Sequence, residues 1–305
     1  MAKGDKTGVR TRKLTRGQKK SVAKKTAKNR TKLPGSFRLT GQVFKTLRTY
    51  WKPLGGIVLV YLVLNIIFAS GISNLSSSVS DIKANLEGSD KFWNALGGFG
   101  TLVGSAGAGD SQTATVLQSI LIILESLVVI WALRQLLAGT TIGVKEAYYR
   151  SMTPLTPFIL VIAVIFIQLL PLTLGTPVFG AILNAIFNPG GALTTTFIII
   201  FAGLALWSFY MISSSIFALY IVTLPDMQPR QALRSAKNLV KFRRWQLMRR
   251  VFFLPIFIFV TMAAIVVPLI LLASFMVTPV FYVLSMLSIL FVHTYLYSLY
   301  RSLLE

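Results

Sequence analysis

Six stretches of this chain are each long enough and apolar enough to cross a lipid bilayer, and that constrains its fold more than any other feature. A spanning helix needs about 20 predominantly apolar residues at about 1.5 Å rise per residue. Such runs cover about 54–75, 115–138, 155–174, 195–224, 251–273 and 279–300. Inside hydrocarbon every backbone N–H and C=O must find a partner within the protein, so runs of this length form helices. The sequence predicts an all-α, polytopic membrane protein of about six spans. Pro171, Pro255 and Pro268 are expected to kink or shorten their helices, and 195–224 is long enough to tilt.

Charge orients the bundle. The chain carries 31 Lys+Arg against 9 Asp+Glu, a formal net charge of +22, and the cations are segregated. Seventeen of the 31 lie at or before Lys52, facing one acid, Asp5. Lys145 and Arg150 mark the 139–153 connection, and Arg230, Arg234, Lys237, Lys241, Arg243, Arg244, Arg249 and Arg250 fill 225–250. The alternate connections differ: 76–112 is acidic on balance, while 175–194 and 274–278 hold no charge. Cytoplasmic loops are enriched in Lys and Arg, so this alternation reads as six spans with both termini inside. The compartment it implies is the plasma membrane, crossed several times.

Residues 1–33 read as a disordered basic cytoplasmic tail, since Lys, Arg, Gly, Thr and Gln there cannot repay the entropy of folding. Residues 34–305 read as the transmembrane domain. Phe37, Val43, Phe44, Leu47 and Trp51 alternate with Arg38, Lys45, Arg48 and Lys52, which predicts an amphipathic, interface-lying helix over 36–52, ending at Pro53. Similar basic segments precede the third span (144–152) and the fifth (230–250), so the architecture reads as three units. Each is a basic surface segment followed by a membrane hairpin.

The stretch Leu224-Pro225-Asp226-Met227-Gln228-Pro229-Arg230-Gln231-Ala232-Leu233-Arg234-Ser235-Ala236-Lys237-Asn238-Leu239-Val240-Lys241, followed by Trp245, resembles a cytoplasmic segment of a bacterial six-helix family. That family comprises the membrane domain of glycerophosphoryl diester phosphodiesterases and related integral membrane proteins. Family members often place Gly after the Val-Lys pair, where this chain has Phe242. The catalytic domain of those enzymes is a separate soluble barrel that this sequence does not encode. The resemblance therefore implies a shared membrane fold in a prokaryotic protein, without the hydrolase activity.

Glu125 is the acid inside a span, near its middle, where a charge costs several kcal/mol unless neutralised or paired. It reads either as a proton or cation site facing a cavity, or as a structural carboxyl bonded to a neighbouring helix. His293, the one histidine, lies in the sixth span at a depth that admits an interhelical Glu125–His293 pair. Asn65, Gln118 and Gln168 read as polar contacts between helices. The 97–109 stretch GGFGTLVGSAGAG lacks both GxGxxG and P-loop spacing and reads as a flexible or interfacial loop. Residues 184–191 read as a turn.

No cysteine is present, which excludes disulfides and thiolate metal sites. One His and one intramembrane acid supply no metal set, and no HExxH, GxSxG or paired-carboxylate pattern occurs. The sequence therefore points away from an enzyme and calls for no cofactor or metal. Lys45, Arg48, Lys52 and the cations from Arg230 to Arg250 are the expected contacts to anionic lipid, each worth about 1 kcal/mol near such a surface. A membrane or cytoplasmic protein is a second class of partner. Nucleic acid ranks below both, because the tail lacks the interleaved aromatics of a base-stacking surface.

Three functions remain open at this stage. The first is a non-enzymatic membrane organiser or accessory protein that contacts anionic lipid. The second is a transporter or lipid-handling protein with a polar site near Glu125, and the third a membrane tether for ribosomes or nucleic acid.

Overall fold

The computed structural model describes residues 33–69, 75–76, 79, 82, 91–105, 111–175, 191–241 and 243–304. The basic tail, the 184–190 part of the expected turn, residues 106–109 and Phe242 lie outside them. Among the described residues the elements are α1 (Ser36–Thr49), α2 (Trp51–Ala69), α3 (Lys91–Ser105), α4 (Gln112–Leu137), α5 (Val144–Ser151) and α6 (Leu155–Thr173). Then follow α7 (Gly191–Ser215), α8 (Ala218–Val222), α9 (Pro229–Val240), α10 (Arg244–Leu272) and α11 (Ser274–Leu304). All regular structure there is helical, and six helices are long and apolar enough to cross a membrane, counting α7 and α8 as one.

Several boundaries have visible local causes. Ser111 caps α4, its hydroxyl accepting from the Ala114 N–H at 3.1 Å, so the helix starts three residues earlier than expected. At the other end Gly139 takes φ +88°, and the N–H groups of Thr140 and Gly139 donate to the carbonyls of Gln135 and Leu136. That left-handed turn stops the helix where only glycine fits without strain. Pro53 lies in the first turn of α2 rather than ending α1, a place where its missing N–H has no helical partner to lose.

The fourth span is interrupted where Ser213, Ser214 and Ser215 turn their hydroxyls back on the carbonyls of Tyr210 and Met211. Such competition for backbone acceptors bends helices, and α7 gives way to α8 immediately afterwards.

Two expectations are corrected. The 97–109 stretch is not a loop over its described part: residues 97–105 belong to α3, with Ala95, Phe99 and Leu102 buried on one face. The expected 274–278 loop is helical too, and only Ala273 separates α10 from α11. Pro279 sits within α11, sacrificing one backbone bond rather than starting the helix.

At the centre stand α4 and α11. Helix α4 packs on α2, α5, α6 and α11; α11 also packs on α1, α2, α9 and α10. Helix α4 is more than half buried, whereas α6 and the α7–α8 pair leave most of their apolar surface exposed. Helix α1 seats its aromatics on the last hairpin, with Phe37 5.3 Å from Phe253 and Phe44 5.6 Å from Phe291 between ring centroids. Gly56 lets α2 approach α5, since a Cβ there would fall 2.6 Å from Val144 Cγ2. The stiff, β-branched Val144 cannot swing aside. Gly56→Ala should therefore lower stability by about 1–2 kcal/mol through overpacking, as measured by denaturant unfolding in mixed micelles; an unchanged midpoint would refute the close contact.

Candidate functional site

A polar seam runs through the apolar bundle where α2, α4, α5 and α11 meet. On α2, Ile57, Tyr61 and Asn65 follow at four-residue intervals and so share a face. On α4, Gln118 and Glu125 stand two turns apart, both buried, Glu125 at 2% exposure. Helix α5 turns Ala147 and Ser151 inward and carries Tyr148 between them.

The contacts are specific. The Tyr148 hydroxyl lies 2.9 Å from Glu125 Oε2 and 3.1 Å from the Ile57 carbonyl oxygen. The Tyr282 hydroxyl of α11 donates to Asn65 Oδ1 at 2.8 Å. Glu125 Oε1 and Asn65 Nδ2 are buried in this seam without a hydrogen-bond partner. Burial, and secondarily the adjacent Glu125 carboxyl, hold the Tyr148 phenol above its ordinary titration range, so it remains a proton donor at physiological pH. Beside it a cleft of about 850 Å3, lined by Val60, Val144, Lys145, Tyr148, Tyr149 and Met152, opens to the surface.

The expected Glu125–His293 pair is not formed. His293 Nδ1 lies 3.2 Å from the Tyr220 hydroxyl of α8, while Glu125 meets Tyr148, because the two residues face different neighbours of the central pair. His293 belongs to a second cluster with Tyr297 and Tyr300, whose rings lie about 6 Å from that of Tyr220. There Arg134, in the last turn of α4, sends its guanidinium to the Tyr220 carbonyl at 3.1 Å and to the Thr223 carbonyl and hydroxyl. Gln168 stays apart on α6, half-buried, its Oε1 without a partner.

Sequence reasoning missed Tyr61, Tyr148, Tyr282 and Arg134. The available signal was chemical: a mid-span carboxyl needs a donor, and tyrosines flank the spans that surround it.

The cations form a surface of their own. Arg230, Arg234, Lys237 and Lys241 are exposed and fall within about 60° of one another at about 3.6 residues per turn. Ala232, Ala236 and Val240 occupy the buried side of α9. Helix α10 begins at Arg244, so Arg249 and Arg250 lie within it rather than before it, and the Arg244 guanidinium stacks 4.8 Å from the centroid of Tyr210. Arg243, Arg244 and Arg250 are half-buried, whereas Lys45, Arg48, Lys52 and Arg249 are exposed.

No protein-family model matches the chain, and no curated protein or solved structure matches it either.

Proposed function

We propose that this is a non-enzymatic membrane protein that gathers anionic lipid at the cytoplasmic leaflet and organises or assists partners there. In this reading the six spans place both termini and every basic segment inside. Helices α1, α5 and α9 lie in the headgroup layer, their cations reaching out over apolar stems. One observation carries it: Arg230, Arg234 and Lys237 of α9, with Lys241 at its C-cap, are exposed together while the opposite side of the helix is packed against the bundle.

Helix polarity adds support. Arg243 caps α10 and Arg244 opens it, and Arg230 lies in the first turn of α9. Helix N-termini are positive ends, so cations there are disfavoured unless an anion joins them. A phosphate group meets both the side chains and the free N–H groups of such a terminus. The likeness of the Leu224–Lys241 segment to the six-helix family agrees with a shared membrane fold.

The test is lipid retention. Protein extracted into nanodiscs of mixed phosphatidylglycerol and phosphatidylcholine should enrich the anionic lipid several-fold over the bulk ratio, read by mass spectrometry. Replacing Arg230, Arg234, Lys237 and Lys241 together by Gln should abolish most of that enrichment, and high salt should weaken it in the native protein. Equal enrichment in the native and four-fold variant proteins would sink the reading.

A further inference from the structure

We propose that Glu125 and Tyr148 form a proton-binding site that opens to the aqueous surface through the cleft beside α5 and sets how firmly α5 is held on the bundle. Too few protons surround the Tyr148 oxygen for an ionised Glu125. A phenol has one to give. Around the Tyr148 oxygen stand two acceptors at hydrogen-bonding distance, Glu125 Oε2 at 2.9 Å and the Ile57 carbonyl at 3.1 Å. Both contacts are full hydrogen bonds at once only when Glu125 carries its own proton on Oε2. It then donates to Tyr148, whose proton goes to Ile57.

The surroundings agree. Among the described residues the recorded ion pair is Arg150–Glu146, at the surface of α5, and none involves Glu125. The titratable groups near Glu125 are neutral phenols: Tyr61 from α2, Tyr148 from α5 and, beyond Asn65, Tyr282 from α11. Helix α6 contributes no titratable residue, and His293 and Tyr297 of α11 belong to the Arg134–Tyr220 cluster. The other carboxyl oxygen, Oε1, is buried without a partner. An orphaned oxygen costs far less on a neutral acid than on a carboxylate.

Access comes through Tyr148 itself, which lines both the seam and the 850 Å3 cleft next to Lys145. When the proton leaves, the phenol turns its one proton to the carboxylate and releases Ile57. Helix α5 then loses one of its two polar ties to the core. The proton is the ligand, and α5 is the element that reports its binding. This inference is independent of the lipid reading, because none of its residues belongs to the basic stripe.

The test uses the full chain in nanodiscs of neutral lipid. Infrared difference spectra between the native protein and Glu125→Gln should show a protonated-carboxyl C=O band at neutral pH, and that band should vanish as pH rises. Over the same interval the amide exchange of 144–151, corrected for its intrinsic pH dependence, should rise about five-fold, the factor one net hydrogen bond carries. In Glu125→Gln, whose amide donates permanently, protection should stay high and flat. In Tyr148→Phe, which keeps the fold but lacks the hydroxyl, it should be low at every pH while the acid band persists. Absence of the band, or a pH dependence of exchange that survives in Glu125→Gln, would overturn the proposal.

Discussion

Replacing Arg134 by Leu is expected to destabilise the protein by roughly 1–3 kcal/mol, the range for leaving hydrogen-bond acceptors without a donor. The C-terminal turn of α8 ends in carbonyls that no later helical N–H can satisfy. Arg134 supplies the missing donors from α4, reaching the carbonyls of Tyr220 and Thr223 and the Thr223 hydroxyl. Its positive charge also meets the negative end of that short helix. Leucine preserves the aliphatic stem and strands the Thr223 carbonyl, while the Tyr220 carbonyl keeps the Thr223 hydroxyl as its donor. Lysine keeps the charge but not the planar fork, so Arg134→Lys should recover only part of the loss. Unfolding in mixed micelles measures both variants, and a loss below about 1 kcal/mol for Arg134→Leu would show that water satisfies these carbonyls.

Phe99→Ala should cost about 3 kcal/mol, the lower end for deleting a fully buried aromatic ring. Phe99 is fully buried although it stands in the glycine-rich connection between two spans. Its ring lies 5.0 Å from Phe259 and 6.4 Å from Phe281, so it ties α3 to the α10–α11 hairpin. The matched control is Phe92→Ala on the same helix, where the ring is 56% exposed. That change should stay within about 0.5 kcal/mol, as surface substitutions do. Equal effects at the two positions would mean that α3 is not docked.

The six long apolar helices were legible because a single rule marks them, sustained apolarity over about 20 residues. The short helices 36–49, 144–151 and 229–240 fall in the basic segments that the sequence marks out between the long apolar runs. What remained hidden was decided by contacts between distant segments. A glycine-rich run such as GGFGTLVGS reads as a loop by propensity, and only the pocket between Phe259 and Phe281 makes Phe99 an anchor. Likewise Glu125 announced itself as an expensive group, but its choice of Tyr148 over His293 depends on which helix neighbours which face of α4. No periodicity in the sequence carries that information.

The central claim is that every basic segment faces one side of a six-span bundle. The chain contains no cysteine, so single cysteines placed at the exposed positions Lys45, Lys91, Lys145 and Lys237 report their side without background. With an impermeant thiol reagent applied to intact cells, the cysteine at 91 should label and those at 45, 145 and 237 should label only after the membrane is opened. Labelling of position 237 together with 91 in intact cells would contradict the account.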